Sequence, residues 1–497
     1  MATLDRQSAT TFALSLNPDR AAFTLLAASI VAFALAQLDL WPRNGFWIDE
    51  YFSLWASDPA LPFGELLSER IAPDTNPPLY FSLLALVRPF VEAPRLAFLI
   101  LNIAAIALAA TFVFVRGRRA GMSAAALLAI ALFIVSGPVL YYAPEGRAYL
   151  LGLCAAFAIA WSAASVTESR AQPVDLRWFA ALGALAALSH VFAALFAGAF
   201  AAGVAIEGLI KRRFDLVRAA FVLGGSATAV FGVWLVFALP HMSNVAWIEF
   251  SVTSVREALW YVRQLTFGHV LIAVAVVAFL TFSARRREMR PHLRIFAVGM
   301  SLFAVLPVLA SFFTPLVTGR YWLIGAPAIV VLAALALRAE LRAAAAGGPD
   351  SRPATATAAF GAASMLAAST FSFVNVQAFM EAKPVWRGTP LVAPLLGDCA
   401  PGAVHVWENH LYATASGAPD STFRDASRPD TPLLSASDCP VLGWAEHVRR
   451  GDDFTLIASD AELLSLLRIA VPPEDVRIVR HSSGFVVLSA DATEGGR

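Results

Sequence analysis

The sequence predicts a mostly α, polytopic membrane helix bundle of about eleven spans with a small extracytoplasmic α/β domain at its C-terminal end, and three observations lead there. Hydrophobic residues make up 58% of the 497-residue chain and charged residues only 15%, with a mean hydropathy of +0.66, well outside the range of soluble domains. Apolar runs of membrane-crossing length recur from residue 21 to residue 377. Beyond that point the apolar residues shorten into runs of strand length, which places the domain division at 1–377 and 378–497. The net charge of +1 leaves no basic surface to neutralise phosphates along a nucleic acid, so that class of partner is excluded.

Taken in order, a polar segment with Asp5, Arg6, Asp19 and Arg20 precedes the first run, 21–40. No small-residue cleavage site follows it, so it reads as an uncleaved span. Further runs lie near 96–115, 121–140, 148–166, 178–189, 191–210, 219–239, 265–283, 295–313, 321–337 and 355–377, each judged against the roughly 20 apolar residues that cross a bilayer. The stretch from Pro77 to Phe90 is too short, and Pro77-Pro78 at its start suits a helix lying in the outer interface. With that assignment one set of loops collects Arg116, Arg118 and Arg119, then Arg170 and Arg177, Lys211 to Arg213 and Arg218, Arg285 to Arg287 and Arg290, and Arg338 and Arg342. The positive-inside bias makes those loops cytoplasmic. The N-terminus is then inside, the Ala343 to Pro353 linker is cytoplasmic, and everything after residue 377 is outside.

The same arithmetic gathers the chemically useful polar residues on the outer face: Asp49, Glu50, Asp74, Asn76, Glu145, Arg147, His190, His241, Glu249 and Arg320. The stretch Trp41 to Leu84 mixes eight charged residues, including Asp49-Glu50, with aromatic ones, the character of helices at a membrane interface. Carboxylates there are partly desolvated, which suits a general base. Asp49 opens the helix-compatible run DEYFSLWAS, where free backbone amides would hold it ionised. Arg147 and Arg320 stand at span mouths and read either as arginines snorkelling to headgroups or as forks for a phosphate. Glu145 is either the ion-pair partner of Arg147 or an active acid, and His190 either a core histidine or a substrate contact.

These motifs, in this order, resemble a known family. A DE pair after the first span, Asn-Pro-Pro-Leu-Tyr-Phe at 76–81, Tyr-x-x-Glu-x-Arg-x-Tyr at 142–149 and Arg-Tyr-Trp-Leu at 320–323 are similar to the membrane glycosyltransferases of the GT-C fold. The likeness is to the dolichyl-phosphate-mannose-protein mannosyltransferase-like group, which includes the lipid A aminoarabinose transferases, and it runs over about residues 20 to 340. It implies an inverting glycosyltransferase of the bacterial inner membrane. Such an enzyme moves a sugar from a polyprenyl-phosphate donor to a hydroxyl of a protein, glycan or lipid acceptor on the periplasmic side. It further implies Asp49 as base, Glu50 as second acid, Glu145 as the second-loop acid, and Arg147 and Arg320 as phosphate contacts. Asn76, Tyr80, Tyr149, His190 and Tyr321 would be substrate contacts, with Asp74 and Asn76 where family members carry His or Lys before the Pro-Pro. No obligatory cofactor is expected, although Asp49, Glu50 and Glu145 could hold a divalent cation. No glycine-rich strand-to-helix turn of a nucleotide-sugar enzyme is present. The alternative reading is a transporter or flippase of a lipid-linked or anionic substrate.

In the C-terminal segment, strand-like runs begin at Val404, Val441, Phe454 and Val476, the last followed by His481-Ser482-Ser483-Gly484 and a further strand, while Ala461 to Leu467 reads as a helix. Of the three cysteines, Cys154 lies in a span, and Cys399 and Cys439 are expected to pair in the outer compartment. That bridge would close a loop of about 40 residues and contribute about 3 to 4 kcal/mol in the chain-entropy model.

Overall fold

Eight helices among the described residues are long and apolar enough to cross a membrane, and a ninth results if one bent pair is a single span. The computed structural model describes residues 18–382, except 44–47, 60, 73–75, 92, 169–170, 241–249, 314–315 and 347–349, and five short strands beyond residue 403. The spanning helices are Asp19–Trp41, Arg95–Arg119, Tyr149–Glu168, Val191–Ile210, Phe214–Ala238, Met289–Ala310, Gly319–Ala345 and Ser351–Met380.

Three of the eleven expected spans differ, each for a local reason. The run 121–140 is two short helices, Ser123–Ile134 and Gly137–Tyr142. Pro138 stands in the first turn of the second, where its missing N–H and fixed φ suit a helix start and not a helix interior. The run 178–189 belongs to Pro173–Ser189, opened by a reciprocal cap between Gln172 and Asp175 and ended by His190 in an extended conformation. At 17 residues it is only about 26 Å long. The run 265–283 is broken, because Val252–Phe267 and Val270–Ser283 meet at 72°. Gly268 sits at the break with φ +74°, the left-handed conformation that ends helices at glycine. Asn375 of the Ser351–Ala382 helix donates to the carbonyls of Gln264 and Gly268 there, at 3.1 and 2.8 Å. The stretch after Pro77-Pro78 forms the short helix Leu79–Val87 followed by a single 3-10 turn.

The chain divides into two units, one of Met1–Trp41, Phe63–Leu84 and Phe98–Met380, the other of Pro42–Pro62, Ala85–Ala97 and Glu381–Arg497. In the first unit the centre is formed by Tyr149–Glu168 and Gly319–Ala345, whose apolar stretches are 94% and 89% buried, against 22% for the first helix. Large rings fill it: Phe133 stacks on Phe157 at 4.1 Å and Phe196 on Phe200 at 4.2 Å. Small residues let backbones approach, as membrane helices require. A Cβ on Gly203 would lie 2.5 Å from the carbonyl oxygen of Ile295. Cys154 is a free, buried thiol of this core.

At the helix ends that the arginine bias predicts to be cytoplasmic, ion pairs join neighbouring helices. Arg116 pairs with Asp175, Arg294 with Glu207 at 2.6 Å, Arg286 with Glu340 at 2.9 Å and His292 with Glu168 at 2.9 Å, while Arg213 pairs with Asp215 at 2.6 Å. Arg116, Asp175, Glu207, His292 and Glu340 are all buried.

In the second unit, helix Ile48–Trp55 is tied at its C-terminal end by Arg88, which donates to the Leu54 carbonyl and, at 3.2 Å, to the Ser57 hydroxyl. A cation there also complements the helix dipole. The five strands are β1 Val404–Val406, β2 Leu433–Ser435, β3 Phe454–Ala458, β4 Arg477–Ser482 and β5 Phe485–Ala490. They form one sheet in the order β2-β1-β3-β5-β4, parallel at β2-β1-β3 and antiparallel from β3 through β5 to β4. The run expected as a strand at Val441, the helix at 461–467 and the Cys399–Cys439 pair lie outside the described residues.

Candidate active site

The first unit gathers Glu145, Arg147, Tyr149, His190, Arg320 and Tyr321 at the helix ends opposite those ion pairs. Two short helices, an extended linker and the start of a central helix position them. After Gly137–Tyr142 the chain turns through Ala143, Pro144, Glu145 and Gly146 before Tyr149–Glu168 begins. That turn is held by Asn102, buried in the neighbouring helix, whose Nδ2 donates to the carbonyls of Glu145 at 2.7 Å, Ala143 at 3.0 Å and Tyr142 at 3.3 Å. Gly146 is required because a Cβ there would lie 2.4 Å from the Phe98 ring. Gln37 supports the preceding turn from the first helix, donating to Leu140 O at 3.2 Å.

Glu145 is therefore a buried carboxylate, 4% exposed. Arg147 lays its guanidinium over the Phe81 ring at 5.9 Å, a cation–π geometry that joins the 142–149 motif to the 76–81 motif. Tyr80, beside Phe81, is fully buried, and Asn76 is half-buried. Tyr149 packs against Tyr142 at 4.8 Å, His190 at 5.3 Å and Tyr321 at 6.1 Å between ring centroids. His190 and Tyr321 are edge to face at 5.2 Å, and Phe192 closes the group 4.9 Å from Tyr321. The Tyr142 hydroxyl reaches toward the Arg320 carbonyl at 3.5 Å. Gly319, which starts the Arg320 turn, leaves room for Tyr261, because a Cβ there would come within 2.7 Å of it.

Burial decides the protonation states. The Tyr142 phenol is pushed well above its ordinary range, first by desolvation and then by neighbouring Tyr261 and Glu145, so it acts as a neutral hydroxyl. His190 is lowered to about 3, first by burial and then by the charge of Arg147. Its Nδ1 accepts the Phe192 N–H at 3.1 Å, capping the Val191–Ile210 helix. A neutral ring with Nδ1 so used carries its hydrogen on Nε2.

Glu50 lies in the second unit, on helix Ile48–Trp55, and is 1% exposed. Asp49 is the second residue of that helix, one position inside its start; the side chain of Asp49, all of Asp74, and His241 and Glu249 lie outside the described residues. Asn102 and Arg88 are structural contributors that the motif reading does not single out, and Tyr142, which opens the 142–149 motif, has no role of its own there. Asn102 is nonetheless conspicuous as the one polar residue in LAFLILNIAAIALAA. Among the described residues no three His, Cys, Asp or Glu side chains come together as a metal site.

The architecture matches solved structures over nearly its whole length. ArnT from Cupriavidus metallidurans, bound to undecaprenyl phosphate, superimposes with a TM-score of 0.58 at 13% identity, covering 95% of this chain and 99% of that one. The fold is that of the GT-C membrane glycosyltransferases. The same ArnT in its apo state gives 0.54 at 12% identity, covering 95% and 99% of the two chains. The archaeal oligosaccharyltransferase AglB from Archaeoglobus fulgidus, in complex with an inhibitory peptide and a dolichol-phosphate, gives 0.50 at 12% identity over 87% of this chain and 69% of its own. No family model matches the chain, and no curated protein matches it by sequence. At these identities the likeness is one of fold.

Proposed function

We propose that this GT-C-fold chain transfers a sugar from a polyprenyl-phosphate donor to an acceptor hydroxyl, with inversion, on the extracytoplasmic side of the membrane. The observation that carries the reading is the assembly of Glu145, Arg147, Tyr149, His190, Arg320 and Tyr321 from three segments far apart in sequence. It occurs in a chain that shares its architecture with a protein solved with undecaprenyl phosphate bound. Aromatic rings around a few placed polar groups, with arginines adjacent, suit a ligand that joins an anionic phosphate to a sugar.

In this reading the acceptor oxygen bonds to the anomeric carbon while the bond from that carbon to the phosphate oxygen breaks. The hydroxyl proton passes to Asp49, with Glu50 as the second acid beside it, and the bonding electrons leave with the phosphate, whose charge Arg147 and Arg320 balance. Glu145 orients the acceptor. Asp74, Asn76, Tyr80, Tyr149 and Tyr321 complete the substrate contacts. The reaction has no obligatory cofactor, and activity that survives dialysis against EDTA is the expected result.

The test is purified protein in vesicles given radiolabelled undecaprenyl-phosphate sugars. Label appearing on an acceptor supports the proposal. Vectorial movement of the intact lipid without transfer would replace it with the transporter reading, and retention of unaltered lipid would reduce it to a binding protein.

A further inference from the structure

Two histidines in this chain cap helices in the same way, and only one of them is explained by doing so. His269 accepts the Leu271 N–H on Nδ1 at 3.2 Å and stands exposed, so its other nitrogen meets solvent. His190 accepts the Phe192 N–H on Nδ1 at 3.1 Å, but it is 1% exposed, and its Nε2 has no hydrogen-bond partner among the described residues. Capping accounts for Nδ1 in both. It does not account for a buried imidazole whose second nitrogen is left unsatisfied, an arrangement folded chains ordinarily avoid because the desolvated donor has lost its water.

The surroundings indicate what Nε2 is for. The ring is bordered by Tyr149, Tyr321 and Phe192, and Tyr149 and Tyr321 lie two residues after Arg147 and one residue after Arg320. Arg147 is close enough for its charge to act on the imidazole. A neutral N–H in a positive, low-dielectric environment is matched by an anionic oxygen, to which its hydrogen bond is charge-assisted. We infer that the Nε2–H of His190 is a hydrogen-bond donor for a non-bridging phosphate oxygen of the lipid-linked substrate, held in that tautomer by the Phe192 amide. This rests on the polyprenyl-phosphate reading above. It makes His190 a substrate-binding residue and excludes it as the general base, because Nδ1 is occupied and Nε2 already carries a proton.

Two substitutions separate the two nitrogens. In His190→Asn the amide oxygen stands near the place of Nδ1 and keeps the cap, since asparagine is among the best N-cap residues, while nothing replaces Nε2. In His190→Gln the terminal amide reaches the place of Nε2 and the cap is weakened. Affinity for undecaprenyl phosphate is measured for the wild type, both variants and His269→Asn, together with the thermal stability of each in detergent. Expected are wild-type stability and at least tenfold weaker binding in His190→Asn, lower stability with largely retained binding in His190→Gln, and no change in binding for His269→Asn. Inorganic phosphate, titrated in parallel, should bind at least tenfold more weakly than the lipid; equal affinity would assign the group to free phosphate instead. Wild-type binding by a stable His190→Asn would overturn the inference while leaving the glycosyltransferase reading intact. Failure of the wild type to bind undecaprenyl phosphate would overturn both.

Discussion

Replacing Asn102 should cost both stability and turnover, and the structure sets the size of each effect. One amide group faces three carbonyl oxygens, at 2.7, 3.0 and 3.3 Å, so its two hydrogens are shared among Glu145, Ala143 and Tyr142. Two net hydrogen bonds contribute about 1 to 3 kcal/mol, and carbonyls left buried without a donor add a further penalty of about 1 to 3 kcal/mol each. With at least two of these carbonyls left without a donor, Asn102→Ala should therefore destabilise by about 3 kcal/mol or more. Asn102→Asp is nearly the same size but turns acceptor oxygens toward three acceptor oxygens, and it should be the worse of the two. Because the turn carries Glu145 and leads into Arg147, a displacement of about 1 Å is enough to lower turnover by about a hundredfold. The assay is the fraction of detergent-solubilised protein that stays monodisperse after heating, alongside sugar transfer measured where each variant is still folded. An Asn102→Asp protein as heat-resistant and as active as the wild type would refute the reasoning.

Asp49→Asn should lower turnover by about two or more orders of magnitude with donor binding retained if Asp49 is the base; a comparable loss in Glu50→Gln alone would move the base one residue along. Arg147→Ala and Arg320→Ala should each weaken binding of undecaprenyl phosphate, with Lys restoring it only in part because the planar fork is lost, and unchanged affinity in both would return them to headgroup snorkelling. The topology predicts that a cysteine placed at the exposed Arg119 is labelled from the cytoplasm only; Gly117 is the poorer probe, since any Cβ there meets Ala126 at 2.5 Å and Trp161 at 2.9 Å. For His190, lowered from 6.5 to about 3, the unfolded chain binds a proton that the folded chain refuses, so its contribution to stability is complete above about pH 6.5 and is lost as pH falls toward 3. The loss is up to about 1.4 kcal/mol per pH unit, and His190→Asn should flatten that part of the stability profile measured between pH 4 and 7.

Hydropathy made the bundle legible because lipid demands long apolar helices, and it overcounted where composition and geometry part company. The run 121–140 is apolar throughout, yet Gly137-Pro138 restarts the helix inside it; the run ending at Ser283 is apolar too, yet Gly268 turns it by 72°. Both breaks were written as glycine and proline, and a window average erased them. In the site, Arg147, Tyr149, His190, Arg320 and Tyr321 were legible because polar groups at span mouths need a reason to be there. Asn102 was not, because its work is done across more than forty residues of chain, and although Tyr142 opens the 142–149 motif, its reach to Arg320 spans more than a hundred and seventy residues, separations that no local pattern encodes. Arg88 escaped for the same reason, its partners Leu54 and Ser57 lying over thirty residues earlier.

The paired charges at the other end of the bundle bear on how such a sequence can drift. Arg116 with Asp175, and Glu207 with Arg294, join separate helices with at least one partner buried. Removing one partner of a buried pair strands the other at a cost of about 3 to 5 kcal/mol, whereas replacing both with apolar residues of similar volume is often close to neutral. Viable descendants should therefore change these positions two at a time, so that the pairs covary, while lipid-facing Leu38, Phe221 and Leu366, each at least 70% exposed, exchange freely with any other apolar residue.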